Sequence, residues 1–255
     1  MDELIKVEYR GNIAVLTLNN PPVNVIGRPV LLALRKIIIE LRKNPDIRGA
    51  IITGAGEKSF SAGADAKNFG DYDPGVCGTW GQSIMNLIDS SPFPVIAAIN
   101  GYCYGGGLEL ALSCDFRIAS EKASIGLTEA NLGLIPAWGG TSRLPWLIGE
   151  ANAKYLFFTA ARISGEEAVH YGIAQKCVPA EQLMDAAMEL AQLMATKAPK
   201  SIAAVKNICV AARKSIYGAS MQTEISEGMI CTASEDTKEG LAALREKRAP
   251  QFKNK

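Results

Sequence analysis

The sequence predicts an α/β domain that runs into a helical tail. Three observations carry this expectation. Short apolar runs of strand character alternate with helix-like apolar stripes over roughly the first 180 residues. Two glycine-flanked segments sit between such runs: Phe60-Ser61-Ala62-Gly63-Ala64-Asp65, and Asn100-Gly101-Tyr102-Cys103-Tyr104-Gly105-Gly106-Gly107-Leu108-Glu109-Leu110. After Val178-Pro179 no strand signal recurs, and the chain becomes rich in Ala, Leu, Met and Lys.

Ile5–Arg10 and Ile13–Asn19 alternate as two strands around a Gly11-Asn12 turn, and Asn20-Pro21-Pro22 ends the pattern. Pro29–Lys43 is expected to be a helix, because Leu31, Leu34, Ile38 and Leu41 share one face. Gly49–Gly54 is a continuous apolar run, as in a strand covered on both faces. The loop Ala55–Phe69 carries the first glycine segment. The Gly/Asp/Pro-rich stretch Phe69–Gly78 reads as a lid, and Gly81–Ser90 as a helix. Pro94–Asn100 is a second buried strand, and Gly106–Ser113 a helix with a small-residue face. Phe116–Ala119 and Ala123–Leu127 are further strands. A helix is expected from Gly139–Ile148 on through Ala151–Thr159. Ser164 caps the next one, with Glu167 at its third position. Helices fill Ala180–Ala198, Pro199–Lys214 and Gln222–Lys247; their apolar stripes must cover the core or another subunit.

Bulk properties remove several function classes. A chain of 255 residues can bury a large core. Its net charge of +1 gives no support for nucleic acid or a membrane as partner. The N-terminus enters a strand pattern almost at once, so no signal or transit peptide is expected, and no apolar run approaches the length of a membrane span. Cys77, Cys103, Cys114, Cys177, Cys209 and Cys231 show no paired spacing and read as reduced thiols of a cytoplasmic protein. The single histidine, His170, reads as a helix-surface residue, which leaves a Ser-His-Asp triad without support. Gly54-Ala55-Gly56-Glu57-Lys58-Ser59 lacks the contiguous Gly-Lys-Ser of a phosphate loop. No His/Cys/carboxylate group has metal-ligand spacing, so no metal is expected.

What remains points to a carbonyl substrate. Both glycine segments let a ligand approach the backbone closely, and the second runs into a helix N-terminus that favours negative charge. Together they can aim two N–H donors at one oxygen, as in an oxyanion hole. Glu109 and Glu129 lie among apolar neighbours. Each is either surface-facing or in a cleft with a raised pKa; Glu109 also complements the helix dipole, and Glu129 could cap a loop. Side by side they would form a general acid/base pair.

These segments, with Cys114-Asp115, Leu127–Glu129, Gly133–Pro136, Gly139–Leu144 and the C-terminal Arg248–Lys253, resemble the crotonase superfamily, most closely the enoyl-CoA hydratases, over nearly the whole chain. The resemblance implies a ClpP-like spiral of ββα units over residues 1–195 and a C-terminal helical trimerisation region over 196–255. It implies that Ala64 and Gly106 supply the oxyanion-hole N–H groups and that Glu109 and Glu129 are catalytic. The implied reaction is reversible addition of water to a 2-enoyl-CoA, giving a 3-hydroxyacyl-CoA as in β-oxidation, with no permanently bound cofactor. Ala62, Asp65, Ala66, Lys67 and Ala137 would line the coenzyme A thioester path, with Lys58 and Lys253 as further contacts. A homotrimer or a dimer of trimers is implied. So is one rival on the same scaffold, an enoyl-CoA isomerase. Ala137 and Trp138 replace small residues usual in the family, and Ala66-Lys67-Asn68-Phe69 departs from its common run. These departures open branched, cyclic or dienoyl thioesters as substrates.

Overall fold

The computed structural model describes residues 4–65 and 74–253. Its organising unit is a long strand, a short strand and then a helical segment. β1 (Ile5–Arg10) and β2 (Ile13–Leu18) form the opening hairpin and lead to α1 (Arg28–Lys43). β3 (Gly49–Gly54), β4 (Ser59–Ser61) and α2 (Pro74–Asp89) make the first unit. β5 (Val95–Ile99), β6 (Tyr102–Tyr104) and α3 (Gly106–Ser113) make the second. β7 (Phe116–Ser120) and β8 (Ser124–Gly126) begin the third, followed by a 3-10 turn at Glu129–Leu132. Then come α4 (Gly140–Ile148), α5 (Glu150–Thr159), β9 (Ile163–Ser164), α6 (Gly165–His170) and β10 (Lys176–Val178). α7 (Leu183–Ala195), α8 (Pro199–Ala233) and α9 (Glu235–Glu246) close the chain.

The long strands and the short β10 build a six-stranded sheet in the order β1-β2-β3-β5-β7-β10, and the other short strands a second sheet in the order β4-β6-β8-β9. Burial on both faces explains the unbroken apolar runs. Ile13, Val15, Ile51, Ile96, Ala98 and Ile118 pack against Leu183, Ala187 and Ala191 of α7. Their alternates, including Leu16, Ile52, Val95 and Ile99, join the main core with Leu34 and Ile38 of α1. Crossing between the sheets leaves no room for side chains at the corner. A Cβ on Gly54 would lie 2.1 Å from the Ser59 carbonyl oxygen, and one on Gly101 2.3 Å from that of Lys58. Both obstacles are backbone, so Gly54→Ala is expected to lower the urea midpoint of unfolding sharply; an unchanged midpoint would show that the corner yields.

Several sequence expectations are corrected here. The four short strands β4, β6, β9 and β10 were not expected, because two or three residues are too few to display a period of two. α2 begins at Pro74, so residues 74–78 of the expected lid are helical; residues 66–73, with Ala66 and Lys67, lie outside the described residues. The helix expected to run on from residue 139 is two helices. Gly149 separates them at φ 81° and ψ 155°, which breaks the helical path. The Ser164 capping box forms as expected: Glu167 N–H donates to Ser164 Oγ (3.1 Å) and Ser164 N–H to Glu167 Oε2 (2.7 Å).

The tail does not stand apart from the core. Lys206 of α8 donates to Asp115 Oδ2 (2.6 Å) and to the Phe93 carbonyl (3.0 Å), and Asp115 also accepts Val95 N–H (2.7 Å). Arg213 of α8 pairs with Asp89 of α2. The Arg213 tie lays α8 along α2, and that of Lys206 fastens it to the segments before β5 and β7.

Candidate active site

The short strands β4, β6 and β8 run parallel, so their C-terminal ends open on the same side. Ala64 follows β4, Gly106 follows β6 and Glu129 follows β8. Distant stretches of chain therefore converge through strand order alone. The approach to Ala64 is fixed by Asn24, whose amide donates to the Ala55 and Ser59 carbonyls (3.1 and 2.8 Å), and by Ala62 N–H, which donates to Val23 (2.9 Å).

Ala64 forms a parallel bridge with Ile26. Its bonds run through its neighbours: Ile26 N–H donates to the Gly63 carbonyl (2.8 Å), and Asp65 N–H to that of Ile26 (3.4 Å). In such a bridge the intervening residue turns its own N–H the opposite way. Gly63 sits at φ 100°, and a Cβ there would lie 2.8 Å from the Tyr104 carbonyl oxygen and 3.4 Å from the Gly106 nitrogen. Gly106 opens α3, where the helix itself offers its N–H no acceptor. The two glycine segments thus meet where the sequence places their donors.

The glutamates meet behind them. Gly105, at φ 51° and ψ −125°, accepts Glu109 N–H (3.0 Å), and a Cβ on it would lie 2.9 Å from Glu129 Oε1. Glu109 is buried, and its Oε1 accepts Trp138 N–H (2.7 Å) and Gly140 N–H (2.8 Å). Burial, then the charges of Glu129 and Glu224, push its carboxyl well above the usual range, against those two hydrogen bonds. Burial raises Glu129 to about 7. Its Oε2 is buried without a hydrogen-bond partner among the described residues. Neighbouring carboxyls of this kind disfavour double ionisation.

A cavity of about 460 Å³ adjoins this centre. Ala64, Asp65 and Ala137 line it, together with Trp138, Ile225 and Met229. Ala62, Glu109, Glu129 and Gly106 are not among its lining residues, and the Trp138 indole covers Gly106. Lys58 is exposed away from the cavity, and Lys253 lines a separate polar cleft with Asp236 and Glu239, so neither lysine reaches it. The Trp138 indole is wedged between α2 and α3: a Cβ on Gly81 would lie 2.3 Å from the ring, and one on Gly106 2.4 Å. Gly81→Ala is therefore expected to cost about 1–3 kcal/mol in urea unfolding. No loss of stability would mean that the indole moves aside.

Three residues beside Glu109 were not anticipated. Glu224 of α8 is buried and accepts from Gly139 N–H (2.7 Å), Gln82 Nε2 (3.0 Å) and the Thr141 hydroxyl. The one trace of it in the sequence is a carboxylate that shares a helix face with Gly228, four residues on. Gln82 and Thr141 leave no such trace. Among the described residues no group of three or more His, Cys, Asp or Glu side chains is placed to hold a metal ion.

The Enoyl-CoA hydratase/isomerase family model matches residues 8–255. A probable enoyl-CoA hydratase of Bacillus subtilis is 40% identical over 246 residues, covering 94% of this chain and 95% of that protein. A crotonyl-CoA hydratase of Syntrophomonas wolfei is 37% identical over 265 residues, covering 99% of each. The crystal structure of a carnitinyl-CoA hydratase from Mycobacterium avium superposes with a TM-score of 0.91 at 33% identity, covering 100% of both chains. The paired sheets, the short-strand ends and their ββα order are thus those of the crotonase fold, and the chain belongs to the enoyl-CoA hydratase/isomerase family.

Proposed function

We propose that the protein is a hydratase that adds water reversibly across the double bond of a 2-enoyl-CoA. The observation that carries this reading is the pair of glutamates, Glu109 buried and Glu129 half-buried with its Oε2 sealed off, beside the loop of Ala64 and the helix start at Gly106. In the proposed mechanism the N–H groups of Ala64 and Gly106 bind the thioester carbonyl oxygen. Charge on that oxygen grows as the carbonyl becomes enolate-like, so the donors favour the transition state over the ground state. Water sits between the two carboxyls. Glu109 takes a proton from it as its oxygen bonds to C3, the C2–C3 π bond opens, and Glu129 delivers a proton to C2. The forward reaction needs Glu109 ionised and Glu129 protonated: the Trp138 and Gly140 N–H groups stabilise the Glu109 anion against the burial that pushes its carboxyl up, whereas Glu129 Oε2 has no donor to stabilise an anion. The water's other hydrogen stays on the new 3-hydroxyl, and exchange with solvent restores the pair.

Two glutamates favour hydration over isomerisation, since moving a double bond needs a single proton shuttle. Asp65 and Ala137 belong to the proposed thioester path, as do Ala62, Ala66 and Lys67. Arg28 stacks over Trp80 in the cavity wall at 5.3 Å, occupying the aromatic face that a quaternary ammonium such as that of a carnitinyl group would use. The test is turnover of crotonyl-CoA beside branched, cyclic and 3-enoyl-CoA thioesters and carnitinyl-CoA. Preference for crotonyl-CoA is expected. Conversion of the 3-enoyl thioester without hydration of any 2-enoyl-CoA would replace this reading with an isomerase.

Assembly as a homotrimer, single or paired, is part of the proposal, with residues 196–255 contributing to the contact. Exposed Tyr155 and Phe158 on α5 and Val205 and Ile208 on α8 support it, since large apolar side chains of this kind seek a partner. Light scattering should give three or six times the 27.2 kDa chain mass; a monomer overturns it. A reducing, cytoplasmic setting fits Cys103, Cys114, Cys177, Cys209 and Cys231, all free. Among the described residues no helix is long and apolar enough to cross a membrane.

A further inference from the structure

Residues 138, 139 and 140 form a strip whose successive N–H groups alternate between two carboxylates. Those of Trp138 and Gly140 reach Glu109 Oε1, and that of Gly139 reaches Glu224 Oε1. The strip has almost no slack. A Cβ on Gly140 would lie 3.0 Å from Glu109 Oε1, and one on Gly139 1.9 Å from Arg143 Nη1. Glu224 is anchored in turn by Gln82 of α2 and by the Thr141 hydroxyl in the first turn of α4. It therefore ties three elements together around the residue proposed as the general base. We propose that Glu224, supplied by the long helix α8, is a positioning residue for Glu109: it holds the middle N–H of the strip whose outer N–H groups hold the Glu109 carboxylate.

A purely structural clamp would not need a charge. Burial pushes the Glu224 carboxyl up, while the Thr141 hydroxyl, Gln82 Nε2, Gly139 N–H and the nearby Arg143 charge oppose that shift and favour its ionised form. The charged groups around Glu109 are Glu129 after β8, Glu224 on α8 and Arg143 on α4, the last itself paired with Asp89. Of these, Glu224 adds negative potential without having a place in the proposed proton transfer. Its charge strengthens Glu109 as a base, while its hydrogen bonds keep the strip in register.

The role rests on the hydratase reading, and its test separates the two. Glu224→Ala removes the clamp; kcat for crotonyl-CoA should fall at least about tenfold while KM stays within about threefold. Glu224→Gln keeps an acceptor for Gly139 and should recover most of kcat. It loses the charge, so the acid limb of kcat/KM should move to lower pH. A wild-type kcat in Glu224→Ala, or an unmoved acid limb in Glu224→Gln, overturns the proposal. If the alanine variant fails to fold, the glutamine variant alone decides. If the wild-type protein hydrates no enoyl-CoA, the functional reading fails instead. The positioning role is then read without turnover, from the Glu109 carboxyl titration followed by 13C NMR and assigned by difference from Glu109→Gln. A lower titration point in Glu224→Gln supports the role, and an unchanged one removes it.

Discussion

Glu109→Gln should lower kcat for crotonyl-CoA hydration by about 10²–10⁴-fold, the range general-base catalysis typically supplies. The substitution is nearly isosteric. Its carbonyl oxygen can still accept Trp138 and Gly140 N–H, so the strip at 138–140 should keep its shape. What disappears is the capacity to take a proton from water. KM should therefore change little while kcat collapses, because the lost interaction belongs to the transition state. Stopped-flow or steady-state hydration at the absorbance of the enoyl thioester measures this directly. Near wild-type turnover would remove Glu109 from the mechanism.

Glu129→Gln should cost a comparable factor in kcat and yet stabilise the fold at alkaline pH. Burial raises this carboxyl from 4.5 to about 7. Between those values the folded chain holds a proton that the unfolded chain has released, so wild-type stability falls as pH rises through that window. Glutamine has no proton to lose. The variant should therefore melt higher than wild type at about pH 8 and lose that advantage at about pH 4, where both states of the wild type are protonated. Thermal unfolding at the two pH values checks the sign. An equal difference at both would mean that Glu129 is not destabilised as an anion, and the proton proposed to rest on it would have to sit elsewhere. Function placed at a cost to stability is expected where one oxygen of a carboxyl proposed as catalytic is buried without a partner.

Much of this architecture is written in local patterns. The face of α1, the apolar runs of β3 and β5, the span of α3 and the Ser164 capping box all follow from spacing within a few residues. Elements without local redundancy were not legible. β4, β6, β9 and β10 exist because neighbouring strands offer hydrogen bonds, and their own two or three residues carry no pattern. The Pro74 start of α2 was hidden by Gly75 and Gly78, which read as loop.

For the centre itself, the sequence determined which chemical groups are present: two glutamates among apolar neighbours and two glycine segments rich in accessible backbone N–H. Tertiary structure decided what each of them faces. Parallel strand order brought residues 64, 106 and 129 together, and the alternating N–H groups of residues 138–140 divided their donors between two carboxylates. Only the folded chain could reveal the third carboxylate at 224, because a helix more than a hundred residues downstream delivers it. Proximity between residues far apart in sequence is a property of strand pairing and helix packing, and no local spacing encodes it.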